Sequence, residues 1–544
     1  MSSNQLNGTP PAWERVEQEP LLPNIAALVD DATASYPDRI LWQDIEGDST
    51  PLSYSEFRRL TIKCAIGLQE KGIERGQHVA MMLPNVSGFL ITWIALCRLG
   101  AIAVMVNTAS TSAELERLLR DTDVDFLVID RDYLPVYDAL PSASRLHGSH
   151  LIVHGIASGD ASARSSTSWS NLLESNEGDL AFPNIDPAEI ASIQFTSGSS
   201  GVPKGCMLSH RYWLTLGKAR SMVGPAPSRI LIDTPMFYMG PLWRFMMAFY
   251  CGSTLCVAPR FSLSRLFDRI LDNKIDFCLV TYPVAKLDHD PRLANSSLKW
   301  LVTYGLGKDL HNGLEQRFGV PVRELYGMSE IGSGLSMPVE DSSMVGSGSC
   351  GRPAPFRSCK IVVDGREVLD GTPGELWITG PGLFSGYYRN SEATAAAFEG
   401  EWFKTGDLFS RDANGYYYML GRIKDVIRRS GENISAAEVE LAVNAIYGVL
   451  DAAAVPVPDP LRGEEVKIVV AKTPGAAGDN LSEEAIVREC QRVLSPFKVP
   501  RYVEFVDALP KTPTGKVDKN ILKAAAKTPG AAVYDAKPDK KRTT

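Results

Sequence analysis

Between residues 40 and 326 the chain alternates short runs of β-branched and aliphatic residues with longer stretches whose apolar positions recur every three or four residues. The first pattern predicts strands and the second helices. Residues 52–71 read as a helix ended by Gly72, 78–83 as a strand, 86–99 as a helix, 102–106 as a strand, 113–120 as a helix and 125–129 as a strand. Further strands are expected at 229–232, 254–257, 277–280 and 301–303, each separated by a helix-length segment. Such alternation predicts right-handed crossovers and largely parallel sheets covered on both faces. Chemistry then belongs in the loops that leave the carboxyl ends of the strands.

Past about residue 336 the texture changes to β segments punctuated by Gly and Pro, at 360–363, 375–379 and 415–420. A second compact unit is expected after Gly421. It would hold a strand at 426–428, a helix at 436–445, strands at 452–457 and 466–471, a helix at 483–494 and a strand at 502–506. About a hundred residues suffice to fold independently. The expected organisation is a flexible N-terminus (1–21), a large domain (22–421), a small domain (422–526) and a loose tail (527–544) rich in Lys, Pro and small residues.

Composition narrows the function classes. With 44% hydrophobic and 22% charged residues the chain is globular in type. A net charge of −8 argues against a nucleic-acid coat but leaves room for a local cationic pocket. Nine cysteines without a C-x-x-C pair disfavour a disulfide scaffold or a zinc ribbon and predict a reduced, cytoplasmic chain. Residues 1–23 lack a basic segment followed by an apolar one, so no signal peptide is expected. The most apolar stretch, 89–106, carries Arg98 and Gly100, which suits a buried helix running into a strand and not a membrane span.

The strongest motif is Phe195-Thr-Ser-Gly-Ser-Ser-Gly-Val-Pro-Lys-Gly205, directly after an apolar strand. Its glycines and hydroxyls leave many backbone N–H groups free and let a phosphate come close, and Lys204 adds a positive charge. Gly follows Lys204 where a Walker A loop needs Ser or Thr, so kinase and GTPase mechanisms are disfavoured. Tyr326-Gly-Met-Ser-Glu330 also follows a strand, and Glu330 offers the carboxylate oxygen that a hard cation such as Mg²⁺ prefers. Asp407 is able to accept both hydroxyls of a ribose, and Arg422 to donate to the same sugar or a phosphate. Lys516 lies in the Pro- and Gly-bounded segment Pro510-Lys-Thr-Pro-Thr-Gly-Lys516. Singly, all but the first are the residues of ordinary turns and surface ion pairs. Gly346-Ser-Gly-Ser-Cys-Gly351 fits a dinucleotide fingerprint but lacks its flanking crossover unit, and Ser495-Pro-Phe-Lys498 lacks the partners of a Ser/Lys hydrolase. His210 reads as a helix start.

In this order the motifs resemble those of the adenylate-forming superfamily: acyl-CoA synthetases, amino-acid adenylation domains and luciferases. The resemblance runs from about residue 22 to 523. Gly431-Glu-Asn-Ile434, Phe497-Lys-Val-Pro500 and the turn 303–307 are most similar to the acyl-CoA ligases, including carnitine/crotonobetaine-CoA ligase-like members. The resemblance implies an α/β fold with stacked, mostly parallel αβα sheets, a small β-barrel-like subdomain and a small α+β C-terminal domain on a hinge. It implies ATP, Mg²⁺ and coenzyme A, with adenylation of a carboxylic acid followed by transfer of the acyl group to the CoA thiol.

The roles it implies map residue by residue. Thr196, Ser197, Gly198, Ser199, Ser200, Gly201 and Lys204 would hold phosphates, and Glu330 with Thr196 would bind the metal. Ser329, standing where Thr is usual, would bond an α-phosphate oxygen. Gly305, Leu306, Gly307, Glu324, Leu325, Tyr326 and Gly327 would bind ATP and AMP, with Tyr326 stacked on adenine near the 305–307 backbone, while Asp407 and Arg422 would grip the ribose. Lys516 would bridge the acid and the α-phosphate; Lys424 and Asp425 would form the hinge; Gly431 and Glu432 would belong to the thiolation loop. Tyr238, Met239, Gly240, Trp243, Tyr304 and Met328 would line the acyl pocket, whose residue types argue for an apolar acyl group. Tyr238 stands where the family often has His and cannot carry an imidazolium charge.

The alternatives are a stand-alone adenylating enzyme that serves a carrier-protein thiol, and a nucleotide-binding regulator without turnover. Neither nucleic acid nor a membrane span is expected, and monomer and homodimer are both compatible with the sequence.

Overall fold

The computed structural model describes residues 16–163, 165–175, 182–196, 204–285, 287–306, 308–429, 432–512, 516–526 and 533–536. They cluster into two compact units: 16–196, 204–359 and 378–403 in one, 360–377 and 404–536 in the other. The hinge residues expected at 424 and 425 therefore lie inside the second unit.

Two large sheets make up the first unit. Among the described residues, one has nine strands, with Trp300–Thr303 between Phe277–Val280 and Val322–Met328. The other has seven and ends on the hairpin Ile190–Thr196/Lys204–Ser209. Most neighbouring strands run parallel, as the strand–helix alternation predicts. Parallel strands buried on both faces need continuous apolar runs, and His78–Met82 and Phe126–Asp130 are buried at every position. Helix Ser87–Leu99 is buried from Gly88 to Leu99, so it is an interior helix, and Gly100 ends it at φ 73°. The α/β fold with mixed, largely parallel sheets is thus the observed one.

The second unit contains a further six-stranded sheet, among the described residues, in which Gly463–Lys472 pairs with both Val449–Asp459 and Tyr502–Val506. Helices Ala436–Asn444 and Glu483–Val493 pack their apolar faces against the same core. Strands Trp402–Arg411 and Tyr417–Arg422 belong to a separate sheet, six-stranded among the described residues, drawn from residues 358–422.

Two expectations about the chain ends need correction. Val16, inside the segment expected to be flexible, is 4% exposed against Ala219 and Phe356, and Glu17 accepts the Phe356 N–H. Within the expected loose tail, Tyr534–Asp535 pairs with Tyr502 and Val503, fixed by a bidentate Arg501–Asp535 ion pair at 3.0 Å. In each case contacts invisible to composition hold a few residues, 16 and 17 at one end and 534 and 535 at the other. No helix among the described residues is long and apolar enough to cross a membrane.

Candidate active site

In the first unit the phosphate-type loop joins two antiparallel strands, with Thr196 opposite Lys204. The strand Lys204–Ser209 was not expected from the sequence, because its Lys-Gly start reads as loop. Ser197, Gly198, Ser199, Ser200 and Gly201 lie outside the described residues. Lys204 projects its Nζ over the Tyr387 ring, 4.8 Å from the centroid. The Tyr387 hydroxyl in turn donates to Glu330 Oε1 at 2.9 Å. Glu330 is buried, at 6% exposure, in the turn that follows Val322–Met328; part-buried Ser329 precedes it. Desolvation, then the Glu330 charge, pushes the Tyr387 phenol well above its ordinary range, so it stays a donor.

Lys204, Thr196, Glu330 and Tyr387 thus form one constellation with a single buried carboxylate. No group of three or more metal-type side chains occurs among the described residues. One carboxylate beside phosphate oxygens suits Mg²⁺, which keeps most of its ligands as water and substrate. Sequence reasoning missed Tyr387; the aromatic pair after Gly386 was its only signal.

The parallel pairing of Thr303 with Glu324 sets the next group. It brings the Glu324 carboxylate under the turn after Thr303, where it accepts the Gly305 N–H. Glu324 is 4% exposed, and burial pushes its carboxyl up to about 8, opposed by the Gly305 and Leu306 amides. Gly305 holds φ 66°, a left-handed value that favours glycine. Leu306 and Tyr326 are buried beside it; Gly307 lies outside the described residues. Leu325 is buried at 2% exposure, as are Leu306, Glu324 and Tyr326 to nearly the same degree. Gly327 pairs with Ser333, and a Cβ there would stand 2.2 Å from the Gly332 carbonyl.

Tyr238 precedes helix Met239–Cys251, with its ring 4.3 Å from that of Phe237. Tyr238, Met239, Gly240 and Met328 are part-buried, Trp243 is buried, and Tyr304 is open at 37% exposure. Tyr212 donates to Met239 Sδ at 3.6 Å.

One polar side chain stands in this group that the sequence did not reveal. Arg220, in the last turn of helix His210–Ser221, has its guanidinium carbon 5.5 Å from the Trp243 centroid and 5.8 Å from that of Tyr304. It is 2% exposed, and its Nε and Nη1 have no hydrogen-bond partner among the described residues. Cation–π contacts supply ~0.5–2 kcal/mol, while removing such a charge from water costs several kcal/mol. Two aromatic faces alone do not offset that burial. By contrast Arg244, equally buried, donates to the Leu231 and Gly240 carbonyls and to Thr234 Oγ1. His210 opens the same helix, after the Ser209 cap, as a structural residue: its Nδ1 accepts the Ile25 N–H at 3.2 Å, and burial lowers its pKa to about 4.

In the second unit Asp407 and Arg422 are cross-strand partners, Arg422 Nε lying 3.1 Å from Asp407 Oδ1. Asp407 is 2% exposed and Arg422 is half-exposed. Lys516 joins them: desolvation lowers its amine first and the Arg422 charge second, with Asp407 opposing. The residue still keeps an exposed surface, so water screens part of that effect. Lys424 and Asp425 form a 3₁₀ turn after Tyr417–Arg422, tied to helix Lys519–Ala526 by Lys523, which donates to Asp425 Oδ1 at 2.7 Å and to the Lys424 carbonyl. Glu432 begins the strand that pairs with Val426–Arg429, and Gly431 lies outside the described residues.

Residues 29–388 match the AMP-binding enzyme family, and 438–516 match the AMP-binding enzyme C-terminal domain. The chain belongs to the AMP-binding enzyme family. It is 31% identical to a probable CoA ligase of Humulus lupulus over 92% of this chain and 95% of that one. It is 30% identical to a sulfoacetate–CoA ligase of Cupriavidus necator over 82% of this chain and 87% of the other. A Mycobacterium tuberculosis fatty acyl CoA synthetase aligns at TM-score 0.69 with 26% identity, over 93% of this chain and 98% of that structure. The activity is that of an AMP-forming acid–thiol ligase: an acid is adenylated with ATP and the acyl group passes to coenzyme A. The carrier-protein alternative is not favoured.

Proposed function

We propose that Lys204, Glu330 and Ser329 in the first unit and Asp407, Arg422 and Lys516 in the second carry the two half-reactions on one carboxylic acid. The observation that carries the reading is the pair of constellations above: a cation, a buried carboxylate and a phenol at the strand-loop motif, and a carboxylate, a guanidinium and an ammonium in the second unit.

In the first half-reaction a carboxylate oxygen forms a bond to the α-phosphorus of ATP and pyrophosphate leaves. Lys204 binds the departing phosphates, and Ser329 donates to an α-phosphate oxygen. Glu330 would hold Mg²⁺, which supplies charge neutralisation to the phosphate oxygens when bound. Lys516 places its ammonium against the charge that builds as oxygen attacks phosphorus. Asp407 accepts the ribose hydroxyls and is oriented by Arg422. In the second half-reaction the CoA sulfur bonds to the acyl carbonyl carbon and AMP leaves. Lys424 and Asp425 act as the hinge between the two steps, and Gly431 with Glu432 serves the thiol step. The nine cysteines are free thiols and fit a reducing compartment such as the cytoplasm.

The relatives' acids do not transfer, since one is named for a short sulfonated acid and another for fatty acids. The test is a carboxylate panel, from short diacids to aromatic, polycyclic and fatty acids, assayed for AMP release with and without CoA. At least one acid should release AMP together with a CoA thioester. A full panel that liberates no pyrophosphate would overturn the reading.

A further inference from the structure

We infer that Arg220 is the receptor for a second anionic group on the acid, so that the substrate is a dicarboxylate or a sulfonated carboxylate and not a plain hydrocarbon acid. The inference rests on the ligase reading and narrows its substrate class.

The guanidinium is 2% exposed, and the side chains acting on its charge are Tyr304, whose hydroxyl also hydrogen-bonds it, and Tyr212. No carboxylate is among them. The other buried arginines nearby are used up: Arg244 donates to two carbonyls and Thr234, and Arg357 to the carbonyls of Ile331, Phe356, Pro381 and Gly382. Arg220 alone of the three leaves Nε and Nη1 without a partner among the described residues.

These nitrogens are held next to residues of the acyl pocket. Trp243 and Tyr304 both face the guanidinium, and Tyr304 is 37% exposed. Nη2 lies 3.5 Å from where a Gly327 Cβ would begin, so a side chain there would pack directly against the fork. A planar fork with unused N–H groups, set between aromatic faces, is the geometry that carboxylates and sulfonates match. The pocket expected to be apolar throughout therefore carries a buried positive charge. A site built around such a charge rejects a ligand that leaves it unpaired.

The test measures acid-dependent ATP–pyrophosphate exchange with length-matched pairs: succinate against butyrate, glutarate against valerate, 3-sulfopropionate against butyrate, and terephthalate against 4-methylbenzoate. In the wild type the dianion of at least one pair should exceed its monoanionic partner in kcat/KM by about a hundredfold. Arg220→Gln should abolish that preference, mainly through a raised KM for the dianion. Arg220→Lys should restore part of it. Wild-type enzyme that activates only acids lacking a second anion overturns the inference and leaves the ligase reading intact. So does an Arg220→Gln variant that loses activity equally on both members of a pair. If Arg220→Gln fails to fold, the wild-type ranking alone decides. Absence of exchange with every acid would instead count against the ligase reading.

Discussion

Tyr387→Phe isolates one hydrogen bond in the phosphate constellation. The substitution keeps the ring beneath Lys204 Nζ and removes only the hydroxyl that donates to Glu330 Oε1 at 2.9 Å. Glu330 is 6% exposed, so water has little access to replace the lost donor. A buried acceptor left unsatisfied costs ~1–3 kcal/mol, a factor of about 5 to 150. If Glu330 holds Mg²⁺, the loss falls on the metal requirement: half-saturating Mg²⁺ rises by that factor, while the rate at saturating Mg²⁺ falls far less. Tyr387→Ala also removes the cation–π contact, worth ~0.5–1 kcal/mol, and should add a roughly two- to fivefold rise in the KM for ATP. The assay is acid-dependent ATP–pyrophosphate exchange titrated with Mg²⁺ for wild type and both variants. An unchanged Mg²⁺ requirement in Tyr387→Phe would refute the reasoning, because the phenol would then not be orienting a metal-binding carboxylate.

Lys516→Ala should reduce adenylation by ~10²–10³, about 3–4 kcal/mol, as for loss of one charge-stabilising donor; CoA transfer from a preformed acyl-adenylate should survive, and equal loss in both steps contradicts the role. Asp425→Pro fixes the backbone at the expected hinge and should slow thioester formation more than pyrophosphate exchange; stopped-flow measurement of each half-reaction decides. Desolvation opposes it, but hydrogen bonding from Lys523 and the charges of Lys519 and Lys424 hold the Asp425 carboxyl below its ordinary 3.8. A depressed acid stabilises the fold above its unfolded pKa and loses that contribution as pH falls through the folded one. Amide exchange in helix Lys519–Ala526 should therefore accelerate below about pH 4 in the wild type, and already at pH 7 in Lys523→Met. His210 has a folded pKa lowered to about 4 from 6.5, so the unfolded chain takes the proton first and stability falls as pH drops from 6.5 towards 4. His210→Gln should flatten that slope in urea denaturation, and an unchanged slope would assign it to other groups.

Much of the fold was legible because short, nearly continuous apolar runs and period-3.6 apolar patterns coincide with real burial. The strands Arg229–Ile232, Thr254–Val257, Phe277–Val280 and Tyr502–Val506 stand where the alternation puts them. What failed were segments whose chemistry masks their geometry. Lys204–Ser209 and Trp402–Arg411 are strands, yet Lys-Gly and Lys-Thr-Gly-Asp read as turns. Residues 52 and 53, expected to open a helix, form a short strand, and the Ser53 hydroxyl caps the helix that follows by accepting the Glu56 N–H.

In the candidate site, Lys204, Glu330, Asp407 and Arg422 were singled out by the order of their motifs and the resemblance that order carries, since each alone reads as a turn or surface residue. Tyr387 was not: it reaches Glu330 from a segment more than fifty residues away, and only the folded chain brings them within hydrogen-bond distance. Arg220 was hidden for a different reason. A basic residue in the last turn of a helix ordinarily faces water and the helix dipole, and nothing in its neighbours in sequence announces that it is buried.

The central claim is that an oxygen of the acid attacks the α-phosphorus of ATP. Supplying an accepted acid labelled with oxygen-18 in its carboxylate, together with ATP, Mg²⁺ and CoA, tests this directly by mass spectrometry of the nucleotide. The account predicts AMP carrying one labelled oxygen, formed in step with the acyl-CoA thioester. Unlabelled AMP, or ADP with the label in inorganic phosphate, would contradict it.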